Sequence, residues 1–226
     1  MELEVIQSND GSSTIRRSDI NETYHSIHGA LNESRHVFIK NGLELIKKSQ
    51  RAIFEVGFGT GLNVMTTLEW AAKNPSIIIT MSSIEAFPIK MEVIKQLNYG
   101  SLFDFPEAEK LFLKIHEADW DQEIQLTSNF KFKKIHADYL NYATNSVFDC
   151  IYFDAFAPNK QADMWEIDAL NKSFDLLQPN GWLTTYCAKG QLKRDLRTVG
   201  FEVSNVPGPP GKREMTLAQK ANLSGT

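Results

Sequence analysis

"FEVGFGTGLN", residues 54–63, decides how this chain is read. Gly57, Gly59 and Gly61 alternate directly after an apolar run and directly before a stretch with helical spacing. Glycine at a strand-to-helix turn permits positive φ and lets a ligand touch the backbone, while the helix behind it offers free N–H groups. The third glycine comes one residue early for G-x-G-x-x-G, and no Lys-Ser/Thr follows as in a P-loop. Alone, the pattern also fits a tight turn in an unrelated α/β protein, so the flanking elements must discriminate.

Working outward, "RAIFEVG" reads as a short strand and "LNVMTTLEWAAKN" as a helix, with Leu62, Met65, Leu68 and Trp70 near helical period and Pro75 ending it. "SIIITMSSIEA" is a buried strand, "PIKMEVIKQLNY" a helix opened by Pro88, and "EAEKLFLKIHEA" an amphipathic helix. "EIQLTSNFKFKKIHAD" alternates as a strand pair or a strand after a hairpin, and "FDCIYFDAF" is a buried strand. Next come the helix "ADMWEIDALNKSFDLL", the strand "WLTTYCA" and the helix "GQLKRDLRTVG". The alternation predicts parallel βαβ units in an open sheet with helices on both faces. "FEVSNVPG" and "REMTLAQ" are joined by "PGPPGK", too short for a parallel crossover, so they are expected to be antiparallel. A mostly parallel sheet with one antiparallel strand near the C-terminus is the α/β, Rossmann-like class I methyltransferase architecture. Residues 1–50 read as an N-terminal extension packed on a domain of residues 51–226: a hairpin around Asp10-Gly11, then a helix at Leu43, Leu45 and Ile46.

The chain has 226 residues and a net charge of −4, so nucleic acid would have to be held by a local basic patch. Cys150 and Cys187 make no disulfide framework and no zinc spacing, and read as buried strand residues. "MELEVIQSND" has no signal-peptide pattern and no apolar run approaches the roughly 20 residues of a membrane span, so a cytoplasmic protein with no membrane partner is expected. His25, His28 and His36 lie close together without the acids a metal site needs, so no metal is expected.

Acids stand at the ends of the later strands: Glu85 after "SIIITMSSI", Asp138 in "HADYL" and Asp154 in "YFDAFAP". Ligands of parallel sheets sit outside the carboxyl ends of the strands, so these acids and the glycine loop converge on one crevice suited to an adenosyl cofactor.

"EVGFGTGLN" together with "DAFAPNKQADMW" resembles the methyltransferase half of the MnmC family, which makes 5-methylaminomethyl-2-thiouridine in bacterial tRNA. The likeness extends to "HGALNESRHVF" and "GPPGKREM", and so covers nearly the whole chain. The resemblance implies an S-adenosylmethionine-dependent N-methyltransferase that converts the aminomethyl group of the wobble (2-thio)uridine to methylaminomethyl. Bifunctional relatives carry an FAD-dependent oxidase that generates the amine. This sequence stops at Thr226, so a stand-alone form served by a separate oxidase or other enzyme is expected. By motif, Gly57, Gly59 and Gly61, flanked by Glu55 and Asn63, approach the methionine part of the cofactor. Glu85 takes the ribose, Asp138 the adenine side, and Glu33 helps close the pocket.

Methyl transfer to an amine needs a free lone pair, yet a primary alkylamine titrates near ~10 and is mostly protonated at neutral pH. Asp154 is the candidate to orient it; an aspartate of ordinary pKa, about 4, is a poor acceptor for a full proton. Phe156 and Pro158 would wall the pocket, and Tyr24 and Trp165 are further stacking candidates for the tRNA base. Lys189, Lys212 and Arg213, with Arg16, Arg17, Lys193, Arg194 and Arg197, could hold anticodon-loop phosphates, although a charged helix face is usually only solvated. Two other readings share the crevice: methylation of a small-molecule or protein amine, and nicotinamide-dependent oxidoreduction.

Overall fold

The computed structural model describes residues 2–222; Met1 and residues 223–226, where the expectation about the chain end falls, lie outside them. Leu3–Gln7 (β1) and Ser13–Arg17 (β2) pair antiparallel across the expected Asp10-Gly11 turn, and Glu22–Thr23 (β3) adds a short third strand. Asp10 ties this hairpin to the first helix, Ala30–Ser34 (α1). Its Oδ1 accepts from the Ser12 backbone at 3.1 Å and its Oδ2 from the Asn32 N–H, in the first turn of α1, at 2.9 Å. The helix continues as a π-helical stretch over Arg35–Lys40.

The helix expected at Leu43–Ile46 is therefore displaced toward the N-terminus. Leu43 and Ile46 are buried, but from a single 3₁₀ turn, Leu43–Leu45, whose three-residue repeat serves the same spacing. The N-terminal segment is bound to the domain through side chains: Arg35 makes a two-pronged pair with Glu69 at 3.0 and 2.9 Å, and the Ser34 hydroxyl reaches Asn63 at 2.6 Å.

The main sheet begins with Gln50–Val56 (β4), followed by the glycine loop, Leu62–Lys73 (α2) and Ile78–Glu85 (β5). The helix expected from Pro88 breaks into Met91–Ile94 (α3) and Tyr99–Leu102 (α4). The break lies at Asn98, whose side chain accepts from the Ser13 N–H and donates to the Gly11 carbonyl, both at 2.8 Å. Helical continuity is exchanged for a clamp on the N-terminal hairpin. Ala108–Glu117 (α5), Glu123–Thr127 (β6), Phe130–His136 (β7) and Phe148–Phe153 (β8) follow. Ile167–Leu176 (α6), Leu177–Thr185 (β9), Gly190–Val199 (α7), Phe201–Pro207 (β10) and Glu214–Lys220 (β11) complete the order.

The eight-stranded sheet runs β10-β11-β9-β8-β4-β5-β7-β6. β4 lies parallel to β5 and β8; β11 is antiparallel to β10, as "PGPPGK" requires, and to β9 as well. β6 is also antiparallel to β7, so the opposite edge carries a second reversed strand. The central strands are covered on both faces. In β8, Cys150 and Tyr152 join one core while Ile151 and Phe153 join the other, which is why "CIYF" is apolar without alternation. Cys150 and Cys187 are both free thiols and both buried. Among the described residues, no helix is long and apolar enough to cross a membrane.

Candidate active site

The carboxyl ends of β4, β5, β7 and β8, with the N-terminal segment folded over them, enclose a cavity of about 820 Å³. Gly57 and Gly59 from the glycine loop line it, together with Asn63 at the start of α2. Glu85, Asp138 and Asp154 reach it from three strand ends, and Arg16, Arg17, Tyr24, Glu33, Phe156 and Lys212 complete the expected residues found there.

The acids differ in how they are held. Glu85 accepts from the Gly59 N–H at 3.0 Å and from the Phe87 N–H at 2.9 Å, so its carboxylate is fixed against the glycine loop. Asp138 is exposed, and its Oδ1 caps its own turn by accepting from the Leu140 N–H at 2.7 Å. Asp154 is partly buried, and its Oδ2 accepts from Asn63 Nδ2 at 2.8 Å. Asn63 is oriented in turn, since its Oδ1 accepts the Ser34 hydroxyl at 2.6 Å. Burial pushes the Asp154 carboxyl up to about 7; the Asn63 hydrogen bond and the nearby Lys212 charge lower it, while Glu33 raises it. Burial thus holds this carboxyl above the ordinary aspartate range and nearer neutral pH.

Aromatic rings stand over the opening. Tyr24 meets Phe156 edge-on at 4.9 Å between ring centroids, and the Arg17 guanidinium lies 5.5 Å from the Phe156 ring centre. The cavity residues that escaped the sequence reading include three polar contacts. Tyr186 donates its hydroxyl to the Ala155 carbonyl at 2.9 Å, Lys160 donates to the Ile20 carbonyl at 2.7 Å, and the Ser26 N–H donates to Glu33 at 2.9 Å. Of these, only Lys160 carried a signal, in the run "DAFAPNK".

Other expected residues are placed elsewhere. Glu55 is 0% exposed and lies inside the sheet, opposite Ser83 in the β4–β5 register, whose hydroxyl it accepts. Burial raises its carboxyl to about 8, and Glu55 does not line the cavity. Gly61 faces α5, where an added Cβ would meet His116 Nε2 at 2.9 Å. Trp165 is buried and donates Nε1 to the Phe156 carbonyl at 2.8 Å, so it braces the pocket wall and offers no stacking face. Pro158, Lys189 and Arg213 do not line the cavity, and the two basic residues are exposed. Lys212 lines it and donates to Glu33 at 2.7 Å.

A family model for S-adenosyl-L-methionine-dependent methyltransferases matches residues 101–221. The chain is similar to the tRNA 5-methylaminomethyl-2-thiouridine biosynthesis bifunctional protein MnmC of Cupriavidus necator, with 33% identity over 87% of this chain and 31% of that protein. The protein of the same name in Cupriavidus metallidurans is 32% identical over 96% of this chain and 34% of its own length. The chain thus spans about a third of the length of these relatives. The crystal structure of MNMC2 from Aquifex aeolicus superposes with a TM-score of 0.79 at 24% identity, covering 100% of this chain and 73% of that one, a likeness of fold. The family match sets aside the nicotinamide reading.

The residues present fit S-adenosylmethionine. Gly59, at φ +49, has no side chain to fill the space beneath Tyr24, where a Cβ would come within 3.1 Å of the ring. Glu85 supplies a fixed carboxylate suited to a ribose diol.

Proposed function

We propose that this chain, which belongs to the S-adenosyl-L-methionine-dependent methyltransferase family, methylates the 5-aminomethyl group of the wobble (2-thio)uridine of tRNA. The relatives are named for the biosynthesis of that nucleoside. The observation carrying the reading is Asp154, a carboxyl held by Asn63 at the cavity wall and raised to about 7. The bound cofactor supplies an electrophilic methyl group on a sulfonium.

The chain's own residues must deliver a neutral amine. Asp154 Oδ1 has no hydrogen bond from the described residues and is the acceptor for the substrate's N–H. From an ammonium of pKa ~10, an aspartate near 4 takes the proton against about 6 units. With Asp154 at about 7, the gap falls to roughly half of that. Desolvation lowers the ammonium pKa as well and narrows it further. Gly57 and Gly59 present backbone to the cofactor, Glu85 takes its ribose and Asp138 its adenine side. Tyr24 and Phe156 receive the base, while Arg16, Arg17, Lys189 and Arg213 attract the anticodon-loop phosphates. A separate oxidase or other enzyme supplies the aminomethyl group.

Because Asp154 must be ionised to accept the proton, single-turnover methyl transfer is expected to rise with pH and reach half its plateau near pH 7. A rate flat from pH 5.5 to 8.5 would remove Asp154 from the proton path. The substrate is tested with tRNA from cells lacking the methyltransferase, incubated with the chain and S-adenosylmethionine, digested and analysed by mass spectrometry. The 5-methylaminomethyl-2-thiouridine nucleoside should appear. If the chain binds cofactor yet the nucleoside stays absent, the tRNA assignment fails and the small amines become the substrates to examine.

A further inference from the structure

Asp154 stands at the end of a chain of hydrogen bonds that passes through the N-terminal segment. Along α2, Asn63, Thr66 and Glu69 follow at three-residue spacing and so share one face of the helix. Arg35 is locked to Glu69 at 3.0 and 2.9 Å, and the residue before it, Ser34, meets Asn63 and Thr66. The Ser34 hydroxyl donates to Asn63 Oδ1 at 2.6 Å and stands 2.9 Å from Thr66 Oγ1. Its single proton is committed to Asn63, so Thr66 is the donor in the second contact. Asn63 Nδ2 then donates to Asp154 Oδ2 at 2.8 Å. Each link from Thr66 through Ser34 and Asn63 to Asp154 donates in the same direction, and such chains strengthen their members.

A side-chain amide has a donor end and an acceptor end, which favour opposite states of a carboxyl. The N–H end stabilises a carboxylate; the C=O end repels it and accepts from a carboxylic acid. Asn63 favours the ionised form of two acids, Asp154 and the fully buried Glu55. Its donor end is spent on acids, so its oxygen needs a donor from elsewhere. Ser34, Asn63 and Thr66 are 1–2% exposed, so bulk water does not supply one. Ser34 does. Without that hydroxyl the amide oxygen is a buried orphan, satisfied only by turning toward an acid that has kept its proton.

Building on the reading that Asp154 accepts the substrate's proton, we propose that Ser34 is a positioning residue that acts on Asp154 through Asn63, holding the amide with its donor end on the carboxylate. Asp154 is faced by Asn63 from α2, Glu33 from α1, Lys212 from the β10–β11 loop, Tyr186 just beyond β9 and Glu55 from β4. Of these, among the described residues, Asn63 alone is hydrogen-bonded to its carboxyl. The N-terminal segment therefore does more than cover the cavity: it sets the pH at which Asp154 becomes a base.

The test reads the carboxyl itself and needs neither cofactor nor turnover. The full chain, labelled with carbon-13 at its aspartate carboxyls, is titrated by NMR, the Asp154 signal being the one missing in Asp154→Asn. Its midpoint should lie near 7 in the unaltered chain. Ser34→Cys fills the same space with a weak donor, and should raise the midpoint by about one unit, a tenfold change in ionisation below it. Ser34→Ala, which cannot overpack, should move it in the same direction. In an Asn63→Ala chain the midpoint should already be raised, and adding Ser34→Cys should move it no further. With saturating cofactor, Ser34→Cys should transfer about tenfold more slowly near pH 6 and close to the parental rate near pH 9, a recovery that a distorted cavity would not show. If neither Ser34 variant moves the midpoint, or if Ser34→Cys moves it as far without Asn63, the proposal is overturned. A midpoint that moves while transfer does not follow upholds the role of Ser34 and removes Asp154 from the proton path.

Discussion

Asp154→Asn should lower the rate of methyl transfer about a thousandfold, the middle of the range for a positioned acid–base group, while cofactor affinity stays within a few fold. The asparagine preserves volume and can still accept from Asn63 through its amide oxygen, so the wall around the cavity is kept. It cannot take a proton from an ammonium, so the amine is left without a free lone pair. The split is the informative part, because an interaction realised only in the transition state lowers kcat without altering ligand binding. Calorimetry with S-adenosylmethionine and single-turnover transfer on the same preparation measure the two quantities. Transfer at the parental rate would show that the proton leaves by another route; loss of cofactor binding would reassign Asp154 to the cofactor.

The case for Asp154 illustrates what a linear sequence reveals and what it hides. Glu85, Asp138 and Asp154 were legible because each follows an apolar run, and parallel strands deliver their carboxyl ends to one edge. Glu55 carries the same local signature, an acid near a strand end, yet it points into the sheet. Pairing with Ser83 and Tyr152 at the same level sets that depth, and neither partner is near it in sequence. The raised titration of Asp154 was equally hidden, because it comes from burial, and part of the cavity's cover is the N-terminal segment. The break at Asn98 has the same origin, since contacts with the hairpin at Gly11 and Ser13 override local periodicity, whereas the antiparallel β6–β7 pair was legible in the alternation around Ser128-Asn129. Glu33 and Lys212 meet across nearly the whole chain, and no spacing rule predicts such a pair.

Gly57→Ala should be the most damaging single methyl group in the glycine loop. Gly57 sits at φ +93, and a Cβ there would stand 2.7 Å from the Asp154 carbonyl oxygen. Neither side can yield easily: the Gly57 N–H is bonded to the Ile84 carbonyl and the Asp154 N–H to the Val56 carbonyl, both at 3.0 Å. The substitution therefore combines a backbone penalty of ~1–2 kcal/mol with overpacking of ~1–3 kcal/mol. Against a typical net stability of ~5–15 kcal/mol that is a large share, equivalent to a fall in Tm of about 10 °C for a domain of this size. Gly11 supplies the control. It has nearly the same conformation, φ +83, with nothing within 4 Å of its added Cβ, so Gly11→Ala should show the backbone penalty alone, a fall of about 3–5 °C. The difference between the two melts isolates the contact between β4 and β8 that sets Asp154 in place. Since relief of that contact must move the Asp154 carbonyl, Gly57→Ala should also lose methyl transfer at temperatures where it is still folded, whereas Gly11→Ala should not. Equal melting of the two variants, with transfer intact in both, would mean that the glycine is required by backbone conformation alone and that Asp154 is positioned by Asn63 without help from the loop.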